Sequence, residues 1–229
     1  MEKFDDKEYV NNILRKTGKF TLPRGWSISK PASLEESLSE KLKELDLPYP
    51  VVGKPVRGRG SYGVKVCSSL AVLEAHVSGL LNESPTVMIE EFLVGEEATV
   101  TVMPPSKARD EYWALPIVTR FNHVDGVAPW NGVVAVTANS RFVSEEEYER
   151  DERYGEAARE CEGVAKLLSG TAPIRIDIRR FKDGKGEKFA LFDVNMKPVS
   201  CQTERENVPD ECTRILRDLA GLGEMIRIA

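Results

Sequence analysis

The spacing of apolar residues along the chain predicts two helices near its start. One is predicted over residues 6–17, where the apolar positions share a single face and Gly18 can end the helix. The residues of that face are Tyr9, Val10, Ile13 and Leu14. A second helix is predicted from Ser33, because Glu36 stands three positions later and completes a capping box.

Short apolar runs typical of strands make up much of the remaining pattern. Strands are predicted at residues 26–29, 51–52, 87–89, 98–103, 112–120, 174–178 and 189–194. Further helices are predicted over residues 69–81, from Ser144 toward Gly170, and over residues 208–219. Residues 121–140 form a predicted long loop, and loops of that length are usually functional or mobile. Because hairpins and helices are mixed without strict βαβ alternation, the pattern favours an α+β fold.

Composition and charge exclude several classes of function. The 229 residues are 41% apolar and 30% charged, which excludes a disordered protein and allows a buried core. The net charge of −5 offers no basic surface to nucleic acid. The longest uncharged run, residues 126–140, is too short and too polar to cross a bilayer, and the first residues lack the apolar segment of a secretion signal. Four cysteines without CxxC spacing indicate reduced thiols, so we predict a cytoplasmic protein.

A glycine-rich segment at residues 57–63 follows Lys54, which lies at the end of a predicted strand. Glycines let the backbone approach a ligand closely, and a lysine supplies a point charge for phosphate. The segment matches neither the GxxxxGK[ST] phosphate loop nor a GxGxxG sequence that opens a helix. A phosphate-binding loop and an ordinary glycine hairpin are therefore both open interpretations.

Acidic and apolar residues surround a predicted bend at residues 89–97. Backbone groups near Phe92 and Leu93 could bind adenine, and a carboxylate could accept hydrogen bonds from ribose hydroxyls. The alternative is a solvated acidic hairpin. The pattern alone is thus compatible with a nucleoside site without requiring one.

Three oxygen-bearing side chains lie on two strands that are predicted to form a hairpin. Asp193 and Asn195 are two residues apart and face the same side, and Asp177 lies on the partner strand. Such hard oxygen ligands suit a Mg²⁺ ion that is shared with phosphates. Two carboxylates inside apolar strands are costly unless a cation compensates them. Arg175 faces the same way as Asp177 and could supply that charge, so a structural salt bridge is the alternative to a metal site.

Taken in order, these segments resemble the ATP-grasp superfamily, and most closely its D-alanine–D-alanine ligase branch. The matching segments are DK at residues 6–7, VVGKP at 51–55, RGRGSYGV at 57–64, IEEFLVGEE at 89–97, RIDI at 175–178 and DVNMKP at 193–198. The ordered set is specific because it supplies phosphate, nucleoside and metal sites together. The resemblance implies an α+β ATP-grasp fold whose two lobes, residues 1–105 and residues 106–229, hold a nucleotide between them.

The resemblance also implies a role for each site residue. The phosphates would be bound by Lys7 and Lys54 and covered by a lid made of Ser61, Tyr62 and Gly63. The nucleoside would be bound by Glu90, Phe92 and Leu93 at adenine and by Glu97 at ribose. One or two Mg²⁺ ions, or Mn²⁺, would be held by Asp177, Asp193 and Asn195. The implied catalytic residues are Arg175, which would face the reacting oxyanion, and Ser61.

The implied activity is ATP-dependent formation of an amide bond. A carboxylate would attack the γ-phosphorus to give an acyl phosphate, and an amine would then displace phosphate. The substrates would be small amino acids or dipeptide-like molecules, with neither nucleic acid nor membrane as a partner, and the chain could form a homodimer. The alternative is a degenerate, non-catalytic nucleotide-binding relative or an interaction module.

The sequence departs from the family pattern at several points. The N-terminal domain that usually helps to bind the first substrate is missing or supplied elsewhere, since the chain starts at the helix with Lys7. Gly53 stands where a β-branched residue is usual, and Asp193 stands where the longer Glu is favoured. The loop at residues 121–140 lacks the ligase's lysine and tyrosine, and its His123 is predicted to be a surface histidine rather than a general base.

Overall fold

The computed structural model describes most of the chain up to residue 196. The described residues are 2–30, 37–58, 61–107, 109–128 and 138–196. None of the helices within these ranges is long and apolar enough to cross a membrane.

The described elements alternate between helices and strand hairpins. The helices are α1 (Lys7–Thr17), α2 (Leu38–Glu44), α3 (Leu70–Leu80), α4 (Glu145–Arg150) and α5 (Glu152–Leu167). The strands are β1 (Gly25–Ser29), β2 (Val51–Pro55), β3 (Lys65–Cys67), β4 (Thr86–Glu91), β5 (Glu97–Met103), β6 (Trp113–Ala114), β7 (Val118–Arg120), β8 (Ser140–Phe142), β9 (Ile174–Arg180) and β10 (Phe189–Asn195). All their pairings are antiparallel, so the predicted α+β class is confirmed.

The first sheet contains four strands in the order β1-β4-β2-β3. Leu42 of α2 and Leu73 and Val77 of α3 form one hydrophobic cluster with Val51 and Ile89 of the sheet. The glycine-rich segment connects β2 to β3, and it is therefore held at one end of a packed sheet.

The second sheet contains six strands in the order β10-β9-β5-β7-β8, with β6 paired to β5. Alternate residues of a strand face opposite sides of its sheet. The isoleucines of β9, Ile174, Ile176 and Ile178, are fully buried in a cluster with α5. The residues between and after them, Arg175, Asp177 and Arg179, form the half-buried face of the same strand.

The register of the β9–β10 hairpin brings the predicted metal ligands together. Asp193 pairs with Asp177, and Asn195 pairs with Arg175. The register shifts between Leu191 and Asp193, which is the signature of a β-bulge. An unbroken register would place the residue before Asp193 opposite Asp177, so the bulge positions the acidic pair.

Two predicted elements are wrong in extent. The strand predicted over residues 112–120 is divided into β6 and β7, because Pro116 has no N–H to donate to a neighbouring strand. The helix predicted from Ser144 breaks at Asp151, whose backbone is extended and whose carboxylate lies 2.8 Å from the buried Arg180. Asp151 then caps α5 by accepting a hydrogen bond from the N–H of Arg153.

Other predictions concern parts of the chain that the structure does not describe. The capping box at Ser33 and Glu36 and the helix over residues 208–219 lie outside the described residues. The boundary between lobes at residue 105 stays a prediction.

The capping box of α4 gives a pH-dependent contribution to stability that can be measured. A hydrogen bond from Arg141, followed by those from Ser144, lowers the pKa of Glu147 from its ordinary value of 4.5 to about 2. Because the folded-state pKa is the lower one, the stabilisation is present above pH 4.5 and is lost as pH falls toward 2. Glu147→Gln keeps the cap but loses the charge, so we expect a loss of about 0.5 kcal/mol at pH 7 that vanishes near pH 2.

Urea unfolding of the wild type and Glu147→Gln between pH 7 and pH 2 measures this difference. Glu149→Gln, on the same helix, is the control and should shift stability little at any of these pH values. A Glu147→Gln deficit that does not change with pH would contradict the expectation.

Candidate functional site

Lys7 and Asp193 form a close ion pair in the middle of the predicted site. Lys7 Nζ lies 2.5 Å from Asp193 Oδ1, and both side chains are mostly buried. Asp6 caps α1 by accepting a hydrogen bond from Tyr9 N–H, which places Lys7 in the first turn. The N–H of Lys7 donates to the carbonyl of Val56 at 3.0 Å, so the start of α1 is tied to the chain just after β2.

Asp177 and Asn195 complete the predicted ligand set. Thr99 Oγ1 donates to Asp177 Oδ1 at 2.8 Å, and Arg175 Nη2 lies 3.2 Å from Asp177 Oδ2. Asn195 Nδ2 lies 3.4 Å from Asp177 Oδ2 and 3.3 Å from Asp193 Oδ2. The amide of Asn195 therefore contacts both carboxylates, and the three side chains converge.

Burial and neighbouring charges move the pKa values of the two carboxyls in opposite directions. Burial raises the pKa of Asp177, since the opposing effect of Arg175 does not cancel it and the charge of Asp193 adds to it. Burial also acts to raise the pKa of Asp193, but Lys7 and Lys54 outweigh burial and hold that pKa below its ordinary value. The negative charge of Asp177 is thus less well compensated by neighbouring cations than that of Asp193.

The donor set fits a divalent cation that also binds another ligand. Rotating the Asn195 amide would present its oxygen where the nitrogen now contacts both carboxylates. In the described part of the chain, no group of three or more His, Cys, Asp or Glu side chains could hold a metal, so the protein offers only part of a coordination shell. A partial oxygen shell suits Mg²⁺, which keeps waters and phosphate oxygens as ligands. The Arg175–Asp177 ion pair that the salt-bridge alternative requires is also present.

Lys54 and Glu90 form a second, more deeply buried pair. Lys54 Nζ lies 2.6 Å from Glu90 Oε2, and the two side chains are 5% and 3% exposed. Lys54 Nζ also donates to the carbonyl of Phe192 at 3.0 Å, which links the first sheet to β10 beside Asp193. Asn11 of α1 donates from Nδ2 to Glu90 Oε1 at 2.9 Å. Lys54 pairs with Met88 and Glu90 pairs with Val52 across the antiparallel β2 and β4, so both predicted residues lie on one face of the sheet, two register positions apart.

The predicted lid residues form a tight turn between β2 and β3. Ser61 and Gly63 have left-handed φ values of 59° and 68°, and Val64 N–H donates to Ser61 O at 3.1 Å. The ring of Tyr62 is exposed, and its hydroxyl donates to Glu83 Oε2 at 3.0 Å. In this arrangement Tyr62 contacts the turn that follows α3 rather than the phosphate residues.

His76 explains the departure at Gly53. His76 Nε2 lies 3.2 Å from the carbonyl of Gly53 and 3.0 Å from that of Gly63, so its N–H is shared between two acceptors. A Cβ atom on Gly53 would lie 2.8 Å from His76 Cδ2. Gly53 therefore makes room for a histidine that joins β2 to the glycine turn.

The turn between β4 and β5 carries the predicted nucleoside residues. Leu93 is buried, and Phe92 lies under the guanidinium of Arg179, 4.9 Å from its ring centroid. The N–H groups of Phe92 and Val94 donate to Pro50 O and Phe181 O, on either side of Leu93. A Cβ atom on Gly95 would lie 2.1 Å from Lys182 O, so only glycine fits this turn.

Glu97 lies at the end of that turn and contacts two basic side chains. His123 Nε2 lies 2.9 Å from Glu97 Oε2, and Arg179 Nη1 lies 3.6 Å from the same oxygen. The prediction that His123 is a surface histidine is wrong, since its side chain is only 19% exposed and contacts Glu97. A cavity of about 530 Å³ is lined by Glu97, His123 and Arg179 among others.

Three residues of this region were missed by the sequence analysis: Asn11, His76 and Arg179. Arg179 had a usable signal, because it continues the alternation of Arg175 and Asp177 along β9. Asn11 and His76 had none, since each acts on a residue that only tertiary packing brings near.

The two antiparallel sheets with this site between β2, β4, β9 and β10 form an ATP-grasp fold. The family described as D-ala D-ala ligase C-terminus matches residues 26–199, and the chain belongs to this family. The predicted resemblance is thereby confirmed.

Individual relatives support this assignment. The chain is 27% identical over 206 residues to a D-alanine–D-alanine ligase of Aquifex aeolicus; the match covers 89% of this chain and 62% of that protein. The D-alanine–D-alanine ligase of Bacillus anthracis complexed with ATP has a similar fold, with a TM-score of 0.60 at 19% identity over 86% of this chain and 54% of that one. The VanG D-Ala:D-Ser ligase of Enterococcus faecalis gives 0.61 at 18% identity, over 86% and 53%. The chain thus spans between about half and three-fifths of the length of these proteins.

Proposed function

We propose that the chain is the nucleotide-binding and catalytic part of an ATP-dependent carboxylate–amine ligase of the D-alanine–D-alanine ligase type. Its relatives carry that activity in their names, and one related structure holds ATP. The observation that carries the proposal is the convergence of Lys7, Asp177, Asp193 and Asn195 next to the buried Lys54. Two lysines and a partial metal shell at one place suit a triphosphate.

The nucleotide would lie beside the face of β2 and β4 that carries Lys54 and Glu90, next to β10. Lys7 and Lys54 would bind its phosphates, with the turn at Ser61, Tyr62 and Gly63 as a lid. Glu90, Phe92 and the backbone of Leu93 would bind adenine, and Glu97 would accept hydrogen bonds from ribose. For Tyr62 to act as a lid, its hydroxyl must leave Glu83, a contact that is exposed and therefore weak.

Asp177, Asp193 and Asn195 would hold Mg²⁺, or Mn²⁺ in its place. When bound, the ion would neutralise charge on the phosphate being transferred. Thr99 would orient Asp177 through its 2.8 Å hydrogen bond, and Lys7 would keep Asp193 ionised.

The reaction would proceed in two steps. A substrate carboxylate oxygen would attack the γ-phosphorus while the bond to ADP breaks, giving an acyl phosphate. The amine of a second substrate would then attack the acyl carbon, inorganic phosphate would leave, and the amine would lose a proton. Arg175 would stabilise the oxyanion, because only part of its charge is used by Asp177 at 3.2 Å. Ser61 would assist from the lid.

The remaining expectations concern the context of the reaction. The two lobes would be residues 1–105 and residues 106–229, and the substrates would be small amino acids or dipeptides. A cytoplasmic location, a homodimer, and the lack of nucleic-acid or membrane partners remain predictions.

Amino-acid-dependent release of ADP tests the proposal. We expect D-alanine to stimulate ADP release from Mg²⁺-ATP in a screen of D- and L-amino acids, and Asp177→Asn to abolish it. Asp110→Asn, in the exposed β5–β6 loop, is the matched control and should behave as the wild type. A non-catalytic relative would bind ATP in calorimetry without such release, and failure to bind millimolar Mg²⁺-ATP would exclude both.

A further inference from the structure

Arg179 is a largely buried arginine that the proposed reaction does not use. It lies two residues after Asp177 on the same face of β9, and its side chain is 11% exposed. Burial lowers the pKa of Arg179, and the nearby charge of Glu97 opposes that effect. A guanidinium charge that is buried to this extent requires specific hydrogen-bond acceptors or counter-charges to compensate its loss of water.

The partners of Arg179 include two backbone carbonyls and one aromatic residue of the proposed nucleoside site. Its Nε donates to the carbonyl of Gly95 at 3.0 Å, and its Nη1 donates to the carbonyl of Gly126 at 2.7 Å. Its guanidinium also stacks over Phe92. The planar fork of arginine thus fixes the turn between β4 and β5 against residue 126.

Glu97 is the fourth partner, and among the described residues its two contacts with basic side chains are made through one carboxylate oxygen. Arg179 Nη1 and His123 Nε2 both contact Oε2, at 3.6 Å and 2.9 Å. Glu97 also lies on the wall of the 530 Å³ cavity, whose described lining does not include the other residues of the proposed nucleotide site. Two basic groups on one oxygen fix the direction in which the other points.

We propose that Arg179 is a positioning residue that orients Glu97 toward the ribose hydroxyls, and so makes the site selective for ribonucleotides over 2′-deoxyribonucleotides. This inference rests on the proposed function, in which Glu97 binds ribose. A hydrogen bond to a charged acceptor is strong and directional. A nucleotide without the 2′-hydroxyl cannot donate this bond and should therefore bind with lower affinity. The selectivity then depends on how well the carboxylate is held.

The experiment compares the dissociation constants of ATP and 2′-deoxy-ATP by calorimetry at one Mg²⁺ concentration. We expect the wild type to prefer ATP by about tenfold or more. Arg179→Met should bring the ratio close to one by weakening ATP alone, and Arg179→Lys should restore part of it, because lysine keeps the charge but not the fork. Glu97→Gln should also lose the preference, and adding Arg179→Met to it should change the ratio no further.

A purely structural arginine would lower stability or weaken both nucleotides equally, and an unchanged ratio in Arg179→Met would overturn the inference. If Arg179→Met does not fold, additive losses of the ratio in Glu97→Gln and Glu97→Gln/Arg179→Lys would overturn it. A wild type that binds both nucleotides equally would contradict the role of Arg179 but not the proposed ligase. A wild type that binds neither would overturn the proposed function, and this inference with it.

Discussion

Replacing Lys54 with methionine is expected to destabilise the fold strongly and to weaken ATP binding. Glu90 is 3% exposed, and without Lys54 the one side-chain hydrogen bond left to its carboxylate among the described residues would be that from Asn11. Removing one partner of a buried ion pair costs about 3–5 kcal/mol, since the other charge is left uncompensated. Urea unfolding should show this loss as a lower denaturation midpoint.

The double variant Lys54→Met/Glu90→Gln separates stability from binding. Glutamine can still accept the hydrogen bond from Asn11, and neither charge of the Lys54–Glu90 pair remains, so most of the lost stability should return. If Lys54 contacts phosphate, the double variant should still bind Mg²⁺-ATP about 10- to 100-fold more weakly than Glu90→Gln alone. Equal affinity in these two proteins would show that Lys54 does not bind the phosphates.

The neighbouring ion pair of Arg24 and Glu91 provides a control for burial. Arg24, the basic partner of this pair, is 62% exposed, and its Nε lies 3.2 Å from Glu91 Oε2. An exposed pair contributes about 0–1 kcal/mol, so Arg24→Met should be far less destabilising than Lys54→Met. Similar losses in the two variants would mean that burial does not set the strength of the Lys54–Glu90 pair.

The grouping of Asp177, Asp193 and Asn195 could be predicted from the sequence because short-range rules place these residues. Residues two apart in a strand share a face, which puts Asp193 beside Asn195, and a short hairpin loop makes β9 the neighbour of β10. The β-bulge that sets Asp193 opposite Asp177 does not follow from those rules, but it leaves the three predicted side chains close together.

Contacts between distant parts of the chain limited the prediction. Asn11 reaches Glu90 across 79 positions, and its own neighbours only mark it as a polar residue of an amphipathic helix. His76 stands on α3 as an ordinary helical residue, and its role appears only when the side-chain space of Gly53 is known. The break at Asp151 likewise depends on its pairing with Arg180, 29 positions away. Packing of helices on sheets decides these contacts, and no local pattern encodes it.

Replacing Asp193 with asparagine is expected to abolish most amino-acid-dependent ADP release while the fold persists. The variant keeps the size of the side chain but removes a charge from the proposed Mg²⁺ ligands and from the 2.5 Å contact with Lys7. A bound metal supplies several kcal/mol of transition-state stabilisation, so a loss of roughly a thousandfold is expected.

Thr99→Val, which removes only the hydrogen bond to Asp177, should raise the Mg²⁺ requirement about 10- to 100-fold.

Magnesium titrations of ADP release, combined with urea unfolding, distinguish a metal site from a structural salt bridge. If Asp193 is a metal ligand, Asp193→Glu should retain Mg²⁺-dependent activity, because the longer carboxylate can still reach the ion. If Asp193 is only a salt-bridge partner, the Asp193→Asn variant would have a lower free energy of unfolding and an unchanged Mg²⁺ dependence of ADP release. Because Asp177 already pairs with Arg175 while Asp193 pairs with Lys7, the stability loss alone cannot decide between the two, and the shift in Mg²⁺ requirement is the result that does.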